Sequence, residues 1–80
     1  MAMYFFDFRA NGVLSFDEEG CELPDADSAH WQAVGALADV VRDAVQEGST
    51  EQSFGVQVRD NIGPVLEVTA VFSSKIFRKN

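Results

Sequence analysis

Two stretches of period-two alternation, one near each end of the chain, enclose a single stretch of helical period. No other feature of the sequence constrains the fold as much. From Met3 to Arg9, Tyr4, Phe6 and Phe8 fall on one side and Met3, Phe5, Asp7 and Arg9 on the other, as in a strand with two unlike faces. Ala10-Asn11-Gly12 and a second short run, Val13 to Phe16, follow. A two-residue turn at Asn11-Gly12 would set Phe8 opposite Ser15. A three-residue loop with Gly12 in a left-handed bulge position sets Phe8 opposite Leu14 and Phe6 opposite Phe16, which makes one face wholly apolar. The apolar pattern therefore predicts the three-residue loop. Near the other end Phe54, Val56 and Val58 alternate with Gly55, Gln57 and Arg59. A similar loop at Asn61-Ile62-Gly63 sets Val58 opposite Leu66, Val56 opposite Val68 and Phe54 opposite Ala70. Pro64 then starts the last strand, where a missing N–H is tolerated.

Between the hairpins the spacing predicts one helix, over Asp27 to Gln46. His30, Ala33, Val34, Leu37, Val41 and Ala44 share a face, and Gln32, Asp39, Arg42, Asp43 and Gln46 lie opposite. Asp25 or Asp27 caps its start behind Pro24, and Gly48 ends it. The order ββαββ implies an α+β fold: a four-stranded antiparallel sheet packed on one α-helix. One domain spans residues 1–72, and residues 73–80 form a basic C-terminal tail expected to fray.

Charge and composition narrow the function classes. A hydrophobic fraction of 46% belongs to a globular chain, and 80 residues make one small domain. The single cysteine, Cys21, excludes an internal disulfide. No apolar run approaches the length of a membrane span and no basic leader precedes one, so a soluble, cytoplasmic protein is expected. The net charge is −7, and Lys75, Arg78 and Lys79 hold half of the six basic residues. Residues 1–74 thus carry three positive and thirteen negative charges, a net −10. Such a body repels nucleic acid and attracts basic partners or cations.

The stretch DEEGCELPDAD, residues 17–27, holds six carboxylates in eleven positions. A calcium loop of the EF-hand type needs alternating oxygens and a glycine at its sixth position; here Gly20 is fourth. The physical reading is a turn at Gly20, Leu23 in the core, Pro24 stiffening the approach, and Asp25 and Asp27 meeting the positive helix N-terminus. Several of these residues also resemble a known family. YFFDFR, the glycine turn, Asp17, Glu19, Gly20, Glu22, Leu23, Pro24 and Asp25, the alanine-rich helix and the closing VRDNIGPVLEV are similar to short uncharacterised proteins common in rhizobia-like alphaproteobacteria. Those proteins form a domain of unknown function, and the likeness spans residues 3 to 70. Position 7, often His or another polar residue there, is Asp here, and the tail beyond residue 72 looks added. The resemblance implies the ββαββ fold and a bacterial origin, and attaches no activity.

No catalytic, cofactor-binding or metal-ligating set stands out, and the expectation is a non-enzyme without cofactor. His30, the sole histidine, reads as a structural residue near the apolar helix face. Cys21, surrounded by acids and without a cation nearby in sequence to activate it, reads as a small apolar filler. Phe5 and Phe54 lack the basic residues that accompany RNA-binding aromatic platforms. Trp31, at the edge of the apolar stripe, is either a core lid or an interface anchor. The expected function is a small interaction or regulatory module that forms a homodimer. Met3, Phe5, Val13, Val65 and Val71 on the sheet face away from the helix are its first interface, and an edge strand is the second. The alternative is an antitoxin-like or inhibitor protein whose acidic surface, Asp17, Glu18, Glu19 and Glu22 with Trp31, binds a basic partner.

Overall fold

A computed structural model of the chain describes residues 1–10, 12–48, 50 and 53–79. Asn11 of the first turn, Ser49, Glu51 and Gln52 of the expected polar loop, and Asn80 lie outside them. The fold is α+β, with a multi-stranded antiparallel sheet packed against a single helix. Strands β1 (Ala2–Ala10), β2 (Val13–Ser15) and β3 (Cys21–Leu23) precede helix α1 (Ala26–Gln46), and β4 (Ser53–Arg59) and β5 (Pro64–Val71) follow it. The sheet order is β2-β1-β4-β5, with β3 paired to β1. The two hairpins lie side by side because the helical crossover returns the chain to the free edge of β1.

The helix forms where its pattern predicts, one residue earlier than expected. The Asp25 side chain accepts from the Ser28 N–H at 2.8 Å. Gly48, just past the last turn, takes φ 79° and donates its N–H to Val45 O at 3.1 Å. Ala29, Ala33 and Leu37 are buried. They meet Tyr4 and Phe6 of β1 and Phe54, Val56 and Val58 of β4 in one core. Alanines at the contact let the helix approach the sheet closely, so aromatic and β-branched side chains of the central strands fill the space. Each large side chain so buried contributes about 1.5–3 kcal/mol.

The second hairpin has the expected register: Val58 pairs with Leu66, Val56 with Val68 and Phe54 with Ala70. A bulge at Arg59 then pairs it with Pro64. Asp60 closes the turn by accepting from the Ile62 and Gly63 N–H groups at 2.8 and 3.1 Å.

The first hairpin departs from expectation. Phe8 pairs with Ser15, Arg9 with Leu14 and Ala10 with Val13, which is the two-residue turn. All three residues of β2 are exposed, so no burial enforces an apolar register there, and the turn decides. Gly12, at φ 72°, supplies the left-handed conformation that such a turn requires. The expected four strands are also one short. After Phe16–Gly20 the chain returns to β1, pairing Tyr4 with Cys21, Met3 with Glu22 and Ala2 with Leu23. This shifts the β2 register by two residues, which preserves the inward parity of Cys21 and Leu23.

Candidate functional site

Asp7 is a charged residue in the centre of an aromatic strand, and it is 1% exposed. Its partners come from both flanks. Arg59 Nε donates to one carboxylate oxygen at 2.8 Å, and the Asp17 N–H donates to the other at 2.9 Å. An Arg59 Nη donates onward to the Asp17 carbonyl at 2.9 Å. Asp7 and Arg59 thus hold the loop between β2 and β3 against the sheet by its backbone. The loop is completed from within. The Asp17 carboxylate accepts from Phe6 N at 3.1 Å, Glu19 N at 3.1 Å and Gly20 N at 3.2 Å. Burial pushes the Asp17 carboxyl up, but the N–H groups of Phe6, Gly20 and Glu19 and the Arg59 charge outweigh it. The net effect holds its pKa below the ordinary aspartate value. The Arg59 guanidinium also lies 4.5 Å from the Phe5 ring centroid. Gly20 touches that ring: a Cβ there would stand 2.8 Å from Phe5 Cε1.

The acidic stretch is therefore divided by role. Asp17 is half-buried and spent on internal hydrogen bonds, which removes it from the expected partner-facing set. Asp25 caps the helix. The bond from the Ser28 backbone N–H, and then the contact with its side chain, lowers the Asp25 pKa. Glu18, Glu19 and Glu22 are exposed. Trp31 is 64% exposed, so it is no core lid; its ring meets the half-buried His30 edge-on at 4.9 Å. Glu22 shares the face of Met3, away from the helix that carries Trp31. Cys21 is half-buried against the core, the position of a filler.

The five residues expected on one apolar sheet face are not brought together. Met3 and Phe5 adjoin, half-buried beside Gly20. Val13 pairs with Ala10 and so takes the helix-side face; the two-residue turn puts Leu14 in its place beside Arg9. Val65 is half-buried and packs on the core. Val71, 75% exposed, pairs with Ser53 at the opposite end of the sheet from Phe5 and Arg59. Between the ends the face is polar. Arg9 crosses Gly55 of β4 to reach Glu67 of β5 at 2.9 Å.

The Asp7–Arg59 pair escaped sequence reasoning, which placed both residues on a partly polar outer face. One signal pointed to it. An acid flanked by Phe5, Phe6 and Phe8 on a central strand needs a cation, and Arg59 was among few available.

An open depression of about 440 Å³ is lined by Met1, Ala2, Met3, Asp60, Asn61 and Ile62. Asp60 is the one carboxylate among these lining residues. Among the described residues no group of three His, Cys, Asp or Glu is placed to hold a metal ion. No helix there is long and apolar enough to cross a membrane.

The sheet ends differ sharply. At one end β2 has three residues. At the other, β5 has eight, with Pro64 at its start and Glu67 as its one charge. Its helix-side residues Leu66, Val68 and Ala70 are only half-buried, while Phe54, Val56 and Val58 beside them on β4 are fully buried.

A family model described as Domain of unknown function (DUF6894) matches residues 3–71. This upholds the resemblance to an uncharacterised family and carries no taxonomic information. Neither the curated proteins nor the solved structures contain a match.

Proposed function

The chain belongs to the DUF6894 family, and we propose that it acts as a small non-enzymatic interaction module that associates with a second copy through the β5 edge of its sheet. The observation that carries this reading is the contrast between the two sheet ends. An edge strand presents unpaired N–H and C=O groups, and proteins blunt such edges with charge, proline or shortness. The β2 end is short and adjoins the acidic loop. β5 is eight residues long, has proline only at its start, and its single charge, Glu67, is already paired with Arg9, so it is guarded less and leaves a half-open apolar row beside it. The polar, internally paired outer face makes the sheet face the weaker interface. Sedimentation at increasing concentration tests the proposal: a dimer at high micromolar concentration is expected, and a monomer there overturns it.

A second reading rests on a separate observation. Glu18, Glu19 and Glu22 are exposed, and no ion pair among the described residues uses them. Together with the net −10 of residues 1–74 they favour a basic protein partner in the manner of an antitoxin or inhibitor. Its check is calorimetric titration with the product of any adjacent gene of strongly basic composition. Binding lost in Glu18→Lys/Glu19→Lys supports this reading, and unchanged binding removes it.

A further inference from the structure

The tail that follows β5 carries the residues its open edge lacks. Ile76 and Phe77 are 68% and 87% exposed, and Lys75, Arg78 and Lys79 supply half of the basic charge in the chain. The molecule is 54 Å long against 22 and 18 Å in its other directions. That length exceeds the roughly 30 Å of a nine-residue strand or a 21-residue helix. Within the same chain, no described pairing returns the tail to β5, whose one partner is β4.

We infer that two copies exchange tails: residues 72–79 of each copy add as an antiparallel strand along β5 of the other, with Val71 facing Val71 on the two-fold axis. This deepens, and rests on, the edge-association reading above.

Parity restricts the register. In a regular strand alternate residues aim both N–H and C=O outward, so two identical strands must pair odd with odd and even with even. With Val71 on the axis, Glu67 meets Lys75, Leu66 meets Ile76 and Ala70 meets Phe72. Moving one strand by two residues sets Glu67 opposite Ser73 or Phe77 instead and loses the charge pair. Arg9 binds Oε2 of Glu67, so Oε1 remains for the incoming ammonium.

Faces agree as well as charges. Phe72 already stacks on Phe54 of the core, at 6.1 Å between centroids, so the even positions of the continuing strand point to the helix side. Ile76 then covers Leu66 of the partner, and Phe72 covers Ala70. These are half-buried residues of β5 beside which, among the described residues, no further strand pairs at the edge. The net −10 of the remaining residues attracts a tail of three cations from another copy while the two bodies repel each other. The tail is thus the element that makes association favourable.

The test is register-specific cross-linking. The Glu67→Cys and Lys75→Cys variants are prepared separately, each with Cys21→Ser. One thiol per chain excludes an internal disulfide, the register keeps like thiols apart, and the spacing of the unlike cross-strand pair suits a disulfide. Oxidation of the mixture is expected to give a covalent heterodimer, while either variant alone stays uncoupled. In the otherwise unaltered chain, Ile76→Asp lies outside the folded core and is expected to weaken the dimer at least tenfold, with the thermal transition unchanged at concentrations low enough for both proteins to be monomers. A dimer that forms without the cross-link, or that survives Ile76→Asp, overturns tail exchange and leaves edge association standing. A monomer of the wild type at several hundred micromolar overturns both.

Discussion

Asp7 bears the largest single electrostatic demand in the fold. The Asp7 carboxylate is 1% exposed, and Arg59 and the Asp17 N–H take the place of the water it loses. The two partners are not equivalent, since the Arg59 side chain is 34% exposed and reaches solvent if released. Arg59→Met strands a buried charge and is expected to destabilise by about 3–5 kcal/mol. Asp7→Asn leaves the guanidinium partly hydrated, and about 1–3 kcal/mol is expected. A domain of this size has only about 3–5 kcal/mol of net stability, so Arg59→Met approaches global unfolding. Urea titration of both variants and of the double variant checks this; a loss in the double variant equal to the sum of the singles would show that the pair is not coupled. Period-two alternation assigned Asp7 and Arg59 correctly to the face away from the helix. It could not show that this face is covered at one end, because the cover is an irregular loop whose position depends on the pair itself.

At the level of elements, the second hairpin and the helix were legible and the first hairpin was not. Phe54, Val56 and Val58 are buried under the helix, so only one register keeps them there. Val13, Leu14 and Ser15 are exposed, so their apolar pattern carried no burial to enforce a register. β3 was missed because three residues after an acidic turn give too short a run to show a period. The loop joining β2 to β3 depends on Gly20, and a comparison of two glycines tests how. Gly12 and Gly20 both have positive φ, 72° and 77°, but a Cβ on Gly12 meets nothing within 4 Å. Gly12→Ala is expected to cost about 1 kcal/mol of backbone strain. At Gly20 the new methyl stands 2.8 Å from a ring held under Arg59, which adds about 1–3 kcal/mol of overpacking. Thermal unfolding of the two variants should rank them in that order. Equal losses would mean that the loop yields without disturbing Phe5.

For the whole molecule, the acidic charge sets the response to cations, nucleic acid and pH. The carboxylates of residues 17–27 divide among a loop, a helix cap and solvent, and do not converge. Millimolar calcium, magnesium or zinc is therefore expected to raise the melting temperature by no more than an ionic-strength effect; a saturable, ion-selective rise contradicts this. No binding of duplex DNA or RNA is expected at physiological salt, since three tail cations face a body of net −10. Fluorescence titration that finds micromolar binding after removal of residues 73–80 overturns that charge argument. Acid stability follows from Asp17 and Asp25, whose pKa values are lowered in the fold. A carboxylate with a depressed folded pKa contributes stability that is fully present above its unfolded value, near pH 4, and is lost as pH falls through the folded value. Between pH 7 and about 5 the domain should keep its stability, because neither group takes up protons there. Below about pH 4 stability should fall as these two carboxylates release their N–H partners. Asp17→Asn keeps one oxygen acceptor and removes the titration, so its urea midpoint at pH 7 should be lower and its decline from pH 4 to 2 shallower than in the wild type. Parallel acid profiles for the two proteins would place the acid sensitivity outside the loop.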